Sequence, residues 1–321
     1  TRALLSTSRQ KPFAGSMADR RRSHIALALC SGLALAACAS GAPIAVPSAS
    51  GFRPASFAQG DSAEVSTCIT QEDRAAEARC LLPLTEAALA RAFAPVTESR
   101  GREFAPPRII TDDGGATTAC GLMTKVAYCP GDHVIVLPLD SLTTLGDRAA
   151  REVEWSPSVL SYFRDQLEPQ QLTVSGPYGV VTALAHEYAH HVQNLIGYVD
   201  VNTARVSQNP AARAEQSSEL ELTADCMAGW FAGASDDANA YEVTPQDQWA
   251  AVTALAEVGD DFRGEIRGAS ASLPATSFEH GAADERANAW VAGVGLGLDG
   301  EEPFAACLAW SQAALGERTS D

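Results

Sequence analysis

The chain has 321 residues, 46% of them hydrophobic, and a formal net charge of −17 at pH 7. The apolar content excludes wholesale disorder, and the negative charge argues against a nucleic-acid partner, because phosphate contacts need a basic surface. No repeat of solenoid length is visible, so a repeat architecture is excluded as well.

Near the start, Met17 precedes Arg20, Arg21 and Arg22, and the apolar stretch IALALCSGLALAAC follows, ending at Cys38. A charged segment before an apolar run too short to anchor across a bilayer is the pattern of an export signal. Leu35, Ala36, Ala37 and Cys38 resemble the lipobox of bacterial lipoprotein precursors. That resemblance implies cleavage before Cys38 and acylation of the cysteine. The protein would then be exported and lipid-anchored to a bacterial membrane, facing the periplasm or the cell exterior. The alternative is a plain secretory signal with a chance cysteine. Residues 1–37 are thus read as upstream residues and signal peptide. Residues 38–66, rich in Ala, Pro, Ser and Gly, are read as the lipidated cysteine and a flexible tether, and 67–321 as the folded domain. Six of the 23 basic and one of the 40 acidic residues lie in 1–37, which leaves the remainder at −22.

A first helix is expected over 84–94, with Leu84, Ala88, Leu89 and Phe93 on one face and Thr85 as its cap. Short strands follow at PRIIT (107–111) and HVIVLPL (133–139), rich in branched residues. HVIVL is read as a sheet edge to which an extended peptide could add, and the adjoining His133 as an ordinary exposed residue. Residues 144–167 read as helical with breaks at Ser156 and Pro157. The segment 178–195 is strongly helical and is stopped by Gly197. Further helices fit 210–233, 245–258 (capped by Thr244 before Pro245), 282–297 and 302–315. The fold class is α+β, mainly helical with a small disulfide-pinned sheet.

Beyond Cys38 the chain holds Cys68, Cys80, Cys120, Cys129, Cys226 and Cys307. An even number in an exported protein suggests disulfides. Spacing favours Cys68–Cys80 and Cys120–Cys129 as short loops and leaves Cys226–Cys307. A cysteine zinc site is the competing idea, against which stands the absence of any CxxC pair.

The chemistry concentrates in His186-Glu187-Tyr188-Ala189-His190. Residues four apart share a helix face, so both imidazoles can reach one cation, and Glu187 stands one step round, placed to act as a general base. His191 is turned about 100° away and reads as an outer or surface residue rather than a ligand. A catalytic zinc takes three protein ligands and keeps one position open. In Ser218–Cys226, Glu221 and Asp225 are again four apart. Glu221 can ligate while Asp225 accepts a hydrogen bond from a ligand imidazole; Glu219 is the rival ligand.

AHEYAHHVQNLIG and ELELTADCMAG, together with ACGLMTKVAYCPGDHVIVL and SFEHGAADER, resemble the bacterial neutral zinc metallopeptidases over about residues 100–310. The ExxxD spacing is also similar to that of membrane-associated zinc proteases that process prenylated proteins. Those carry a later His with an Arg six positions on, as His280 and Arg286 stand here. The resemblance implies a zincin-like domain with a gluzincin-like site: one Zn2+ per chain on His186, His190 and Glu221, and a peptide or protein substrate. By the same resemblance His280 or Arg286 would stabilise the oxyanion. The alternative for that pair is structural: Arg286 pairs with Asp225 or another acid, and His280 caps a helix. Competing functions are a non-catalytic zinc-containing envelope lipoprotein that binds a partner and an amidase acting on cell-wall peptides.

Overall fold

The computed structural model describes residues 68, 74–142, 144–173, 176, 178–237, 243–262 and 279–318, all within the unit that spans Val46–Asp321. The expected export signal, Cys38 and the tether lie outside the described residues. The architecture is mainly helical with a small mixed sheet, and three disulfides join Cys68 to Cys80, Cys120 to Cys129 and Cys226 to Cys307.

The first helix, α1 (Arg74–Glu98), is longer than expected and contains Pro83 and Pro95. An interior proline costs a helix about 3 kcal/mol, so the sequence pattern stops short where the structure continues. Burial outweighs that cost: Ala78, Leu81, Leu82, Leu89, Ala92, Phe93 and Val96 are all buried. Phe93 packs against Tyr188, Trp230 and Phe231 in the core. Thr85 is no cap, because it lies inside the longer helix and its hydroxyl donates to the Leu81 carbonyl.

Strands β1 (Arg108–Ile110), β4 (Ala127–Cys129) and β5 (Val134–Val136) form a sheet in the order β1-β5-β4, and β2 (Ala116–Thr118) pairs with β3 (Gly121–Met123) in a separate hairpin. β5 runs parallel to β1 and antiparallel to β4, with Ile135 opposite both Ile109 and Tyr128. HVIVL is therefore the central strand and has no free edge. Its fully buried Val134, Ile135 and Val136 fit that position. Among the described residues the open edge on this side belongs to β4, which the Cys120–Cys129 disulfide ties to the end of the hairpin.

Short helices α2 (Leu139–Leu142), α3 (Ala149–Glu152) and α4 (Pro157–Arg164) follow. The expected break is the start of α4: Ser156 accepts from the Val159 N–H, with Pro157 in the first turn. Helix α5 (Gly179–Leu195) is buried on nearly every side. Gly197 ends it with φ +78°, a conformation open to glycine without a Cβ penalty. Then come α6 (Tyr198–Gln208), a 3-10 turn at Pro210–Ala212, α7 (Arg213–Asp237), α8 (Pro245–Ala256), α9 (Ala283–Leu298) and α10 (Pro303–Arg318). Thr244 and Asp247 make the capping box of α8.

α7 carries Glu221 and Asp225, and its distance from α9 is set by glycines. A Cβ on Gly229 would lie 2.0 Å from the Trp290 carbonyl oxygen, and one on Gly293 would lie 1.9 Å from that of Cys226. Backbones therefore touch where side chains would otherwise separate them. Cys226–Cys307 also joins α7 to α10.

Gly293→Ala should destabilise the fold by about 2–3 kcal/mol through this overpacking. Gly295→Ala, on the same helix with nothing within 4 Å of the new methyl, should be neutral or stabilising by up to about 1 kcal/mol. Denaturant unfolding of the two variants measures the difference; equal effects would refute the close-approach account.

Candidate metal centre

His186 and His190 project from one face of α5, with their Nε2 atoms 3.0 Å apart. α7 brings Glu221 against both: Oε2 lies 3.3 Å from His186 Nε2, and Oε1 lies 3.5 Å from His190 Nε2. Ligands at about 2.0–2.1 Å from a tetrahedral ion stand about 3.3 Å from one another. The three observed separations bracket that value, so His186, His190 and Glu221 could hold one metal ion. Two nitrogens and one carboxylate in so narrow a triangle suit a small transition-metal ion better than calcium, which takes about six to eight oxygens at longer range.

Each imidazole of the cluster is held from behind. Asp225 Oδ1 lies 2.7 Å from His186 Nδ1. Arg286 in turn donates to Asp225 twice, Nε to Oδ2 and Nη2 to Oδ1, both at 2.8 Å. Asp225 and Arg286 are 0% and 2% exposed, so neither charge could stand there alone. Arg286 Nη2 also approaches Glu221 Oε2 at 3.7 Å. His190 Nδ1 is 2.8 Å from Gln193 Oε1, and the Gln193 amide nitrogen donates to the Leu220 carbonyl at 3.0 Å. Gln193 is absent from the sequence-based site. Its three-residue spacing from His190 on one helix face was the available signal, but only the packed α7 supplies its second partner.

Glu219, the rival ligand, points elsewhere. It accepts from Tyr198 and Arg205, and it is absent from the metal-binding group. His191 is buried rather than superficial. Its Nε2 donates to the Ala105 carbonyl at 2.6 Å and its Nδ1 lies 3.1 Å from the Tyr128 hydroxyl. Burial pushes its pKa down to about 4, so the ring is neutral and Nδ1 accepts from Tyr128. Asn194 donates to the same hydroxyl at 2.9 Å, which fastens α5 to the edge strand β4. His133 is exposed, 3.2 Å from Tyr128, with φ +51°.

His280 meets one carboxylate through two groups. Its main-chain N–H donates to Asp260 Oδ2 at 2.6 Å, and its Nδ1 lies 3.0 Å from Oδ1 of the same carboxylate. Burial opposes the charge of Asp260, but the bonds from His280 hold its pKa below the usual value. His186, Glu187, His190, Glu221, His280 and Arg286 all line one cavity of about 680 Å³, together with Lys125, Val126, Ala127 and Tyr128 from the β4 side.

The electrostatics follow from burial among opposite charges. Burial disfavours the imidazolium of His186, yet Asp225 and Glu221 more than compensate and hold its pKa up to about 10. Burial would raise Glu221, but the two imidazoles keep it well below the carboxylate range. Burial likewise raises Glu187, and the charges of His186, His190 and Arg286 only partly offset it. The Glu221 carboxylate and the neighbouring Glu187 are thus driven in opposite directions.

Residues 159–302 match the model of a family described as "Putative neutral zinc metallopeptidase". That span contains every residue of the metal cluster. The chain is 26% identical over 192 residues to "Uncharacterized protein YpfJ" of Escherichia coli (strain K12), covering 58% of this chain and 57% of the relative. It is 28% identical over 194 residues to "Uncharacterized protein Rv2575" of Mycobacterium tuberculosis (strain ATCC 25618 / H37Rv), covering 57% of each. The chain thus spans little more than half the length of the curated relatives it matches. No solved structure matches it significantly.

Asp225→Asn and Gln193→Ala should each lower metal affinity by about 10- to 100-fold, since partners behind a ligand histidine set its tautomer and orientation. Competition against a chromogenic chelator measures this, and unchanged affinity in both variants would refute it. Because His186 keeps its proton up to about pH 10, a cation taking Nε2 must displace that proton. Uptake near pH 7 should then release about one proton from this ring, and apparent affinity should rise with pH across the neutral range. Calorimetry in buffers of different ionisation enthalpy counts the protons, and a count of zero would refute the coupling.

Proposed function

We propose that this protein is a zinc-dependent metallopeptidase that binds one Zn2+ per chain on His186, His190 and Glu221 and hydrolyses peptide bonds with Glu187 as general base. The observation that carries this reading is the position of Glu187. It lies next to a ligand histidine and opens onto the same cavity as the cluster. A cation enclosed only to stabilise the fold needs neither an accessible cavity nor an adjoining carboxylate.

A zinc ion held there supplies a positive charge that makes water a better acid and a peptide carbonyl a better electrophile. Glu187 takes the proton of the attacking water and passes it to the leaving amine. Burial raises its pKa above the ordinary carboxylate value. Asp225 keeps His186 oriented, with Arg286 holding Asp225 in place. The Nε and Nη2 groups of Arg286 are committed to Asp225, which supports a positioning role for it. His280, held at Nδ1 by Asp260 on the cavity wall, is assigned to the developing oxyanion. Val126, Ala127 and Tyr128 line the cavity along β4, whose edge, open among the described residues, offers backbone pairing to an extended peptide. We assign the domain to 67–321 and place it outside the cytoplasm, tethered through Cys38; three disulfides support export.

Glu187→Gln should keep stoichiometric zinc and lose about 100- to 10,000-fold in peptide hydrolysis, measured by metal analysis beside cleavage of a quenched-peptide library. Undiminished cleavage would remove Glu187 as the base. Stoichiometric zinc without any cleavage by the wild type would favour the non-catalytic envelope lipoprotein instead.

A further inference from the structure

The metal cavity has one wall with a composition of its own. Leu145, Ala183, Ala254, Leu255 and Val258 line it together and contribute no polar side chain. Ala183 stands three residues before His186 and four before Glu187, so on α5 it shares the face that carries the ligand and the proposed base. The far side is built by α8 and by Val258, two residues past its end. α8 meets the start of α5 and the chain just before it through small residues: a Cβ on Gly176 would lie 3.3 Å from the Ala250 methyl, and one on Gly179 would lie 3.2 Å from the Ala254 methyl. Four residues further on come Ala183 on α5 and Val258 beyond the end of α8. Both face the cavity, and the small Ala183 leaves room there. Ala183, Ala254 and Leu255 are buried, while Leu145 and Val258 are half-buried, which makes this a recess in the core and not a surface patch.

Resting on the metallopeptidase reading, we propose that this recess receives an apolar side chain of the peptide next to the scissile bond, and that Val258 and Leu145 set the size it accepts. An apolar side chain entering the recess leaves water at no polar cost. A charged one would lose its hydration and find no counter-charge among these five residues. Cleavage should therefore favour Leu, Phe or Met at one position flanking the cut, over Gly, Asp or Lys, by about tenfold or more in kcat/KM. The choice would be made by binding beside the reacting bond and is separate from the chemistry of Glu187.

The test uses the zinc-loaded full chain and quenched peptides that vary the residues on both sides of the cut. The wild type should show the apolar preference at one flanking position. Val258→Phe should shift it toward Ala and Gly, and Leu145→Ala should shift it toward Phe and Trp, both with wild-type zinc content. The opposite directions keep the proposal exposed even where one variant fails to fold. Cleavage indifferent to the flanking side chains, or preferences unmoved in a folded, zinc-loaded variant, would overturn the proposal and leave the peptidase reading standing. Failure of the zinc-loaded wild type to cut any peptide would overturn that reading and this proposal with it.

Discussion

The site depends on one buried carboxylate shared by three helices. Asp225 on α7 faces His186 of α5 through one oxygen and accepts both bonds of Arg286 from α9. Removing water from a carboxylate costs several kcal/mol, and only close opposite charge with good geometry offsets it. Asp225 has both, with no exposed surface left over. The guanidinium, the carboxylate and the imidazole therefore form a chain in which moving any member strands another. That coupling lets the fold define the direction of His186 Nε2.

Backbone packing protects this chain of contacts. α7 and α9 approach until each helix meets the other's carbonyls at Gly229 and Gly293, and Cys226–Cys307 fastens α7 to α10. Glu221 and Asp225 thus stand on a helix restrained by two others. The second imidazole is served by a neutral partner, Gln193, which reaches from α5 to the Leu220 carbonyl beside Glu221. One histidine is steered by charge and the other by an amide, and both supports connect α5 to α7. The triangle of His186, His190 and Glu221 is consequently a property of the α5–α7 contact as much as of those three side chains.

The other face of α5 has a different task. His191 and Asn194 both engage the Tyr128 hydroxyl, joining α5 to the edge strand that borders the cavity. The width between β4 and the cluster is then fixed by side chains that touch no ligand atom. Adjacent histidines on one helix thus serve separate ends, because a 100° turn sends His190 to the cluster and His191 to the sheet.

Local pattern was enough for α5 and the helices from α7 to α10, the break at Ser156, the cap at Thr244, the stop at Gly197 and the two four-residue spacings, but not for α6 (Tyr198–Gln208). Each of these depends on helix periodicity or on groups a few residues apart, which the order of residues states directly. The spacing of Glu221 and Asp225 named them as a pair, yet equally left Glu219 as a rival. Tertiary packing decided between them by turning Glu219 toward Tyr198 and Arg205. Packing likewise carried α1 through two prolines, put HVIVL at the centre of the sheet, gave Arg286 to Asp225 and added Gln193 and Asp260. The reason is common to all of these. They depend on which buried group finds a partner from a distant segment, and a linear chain does not specify that distance until its helices have packed.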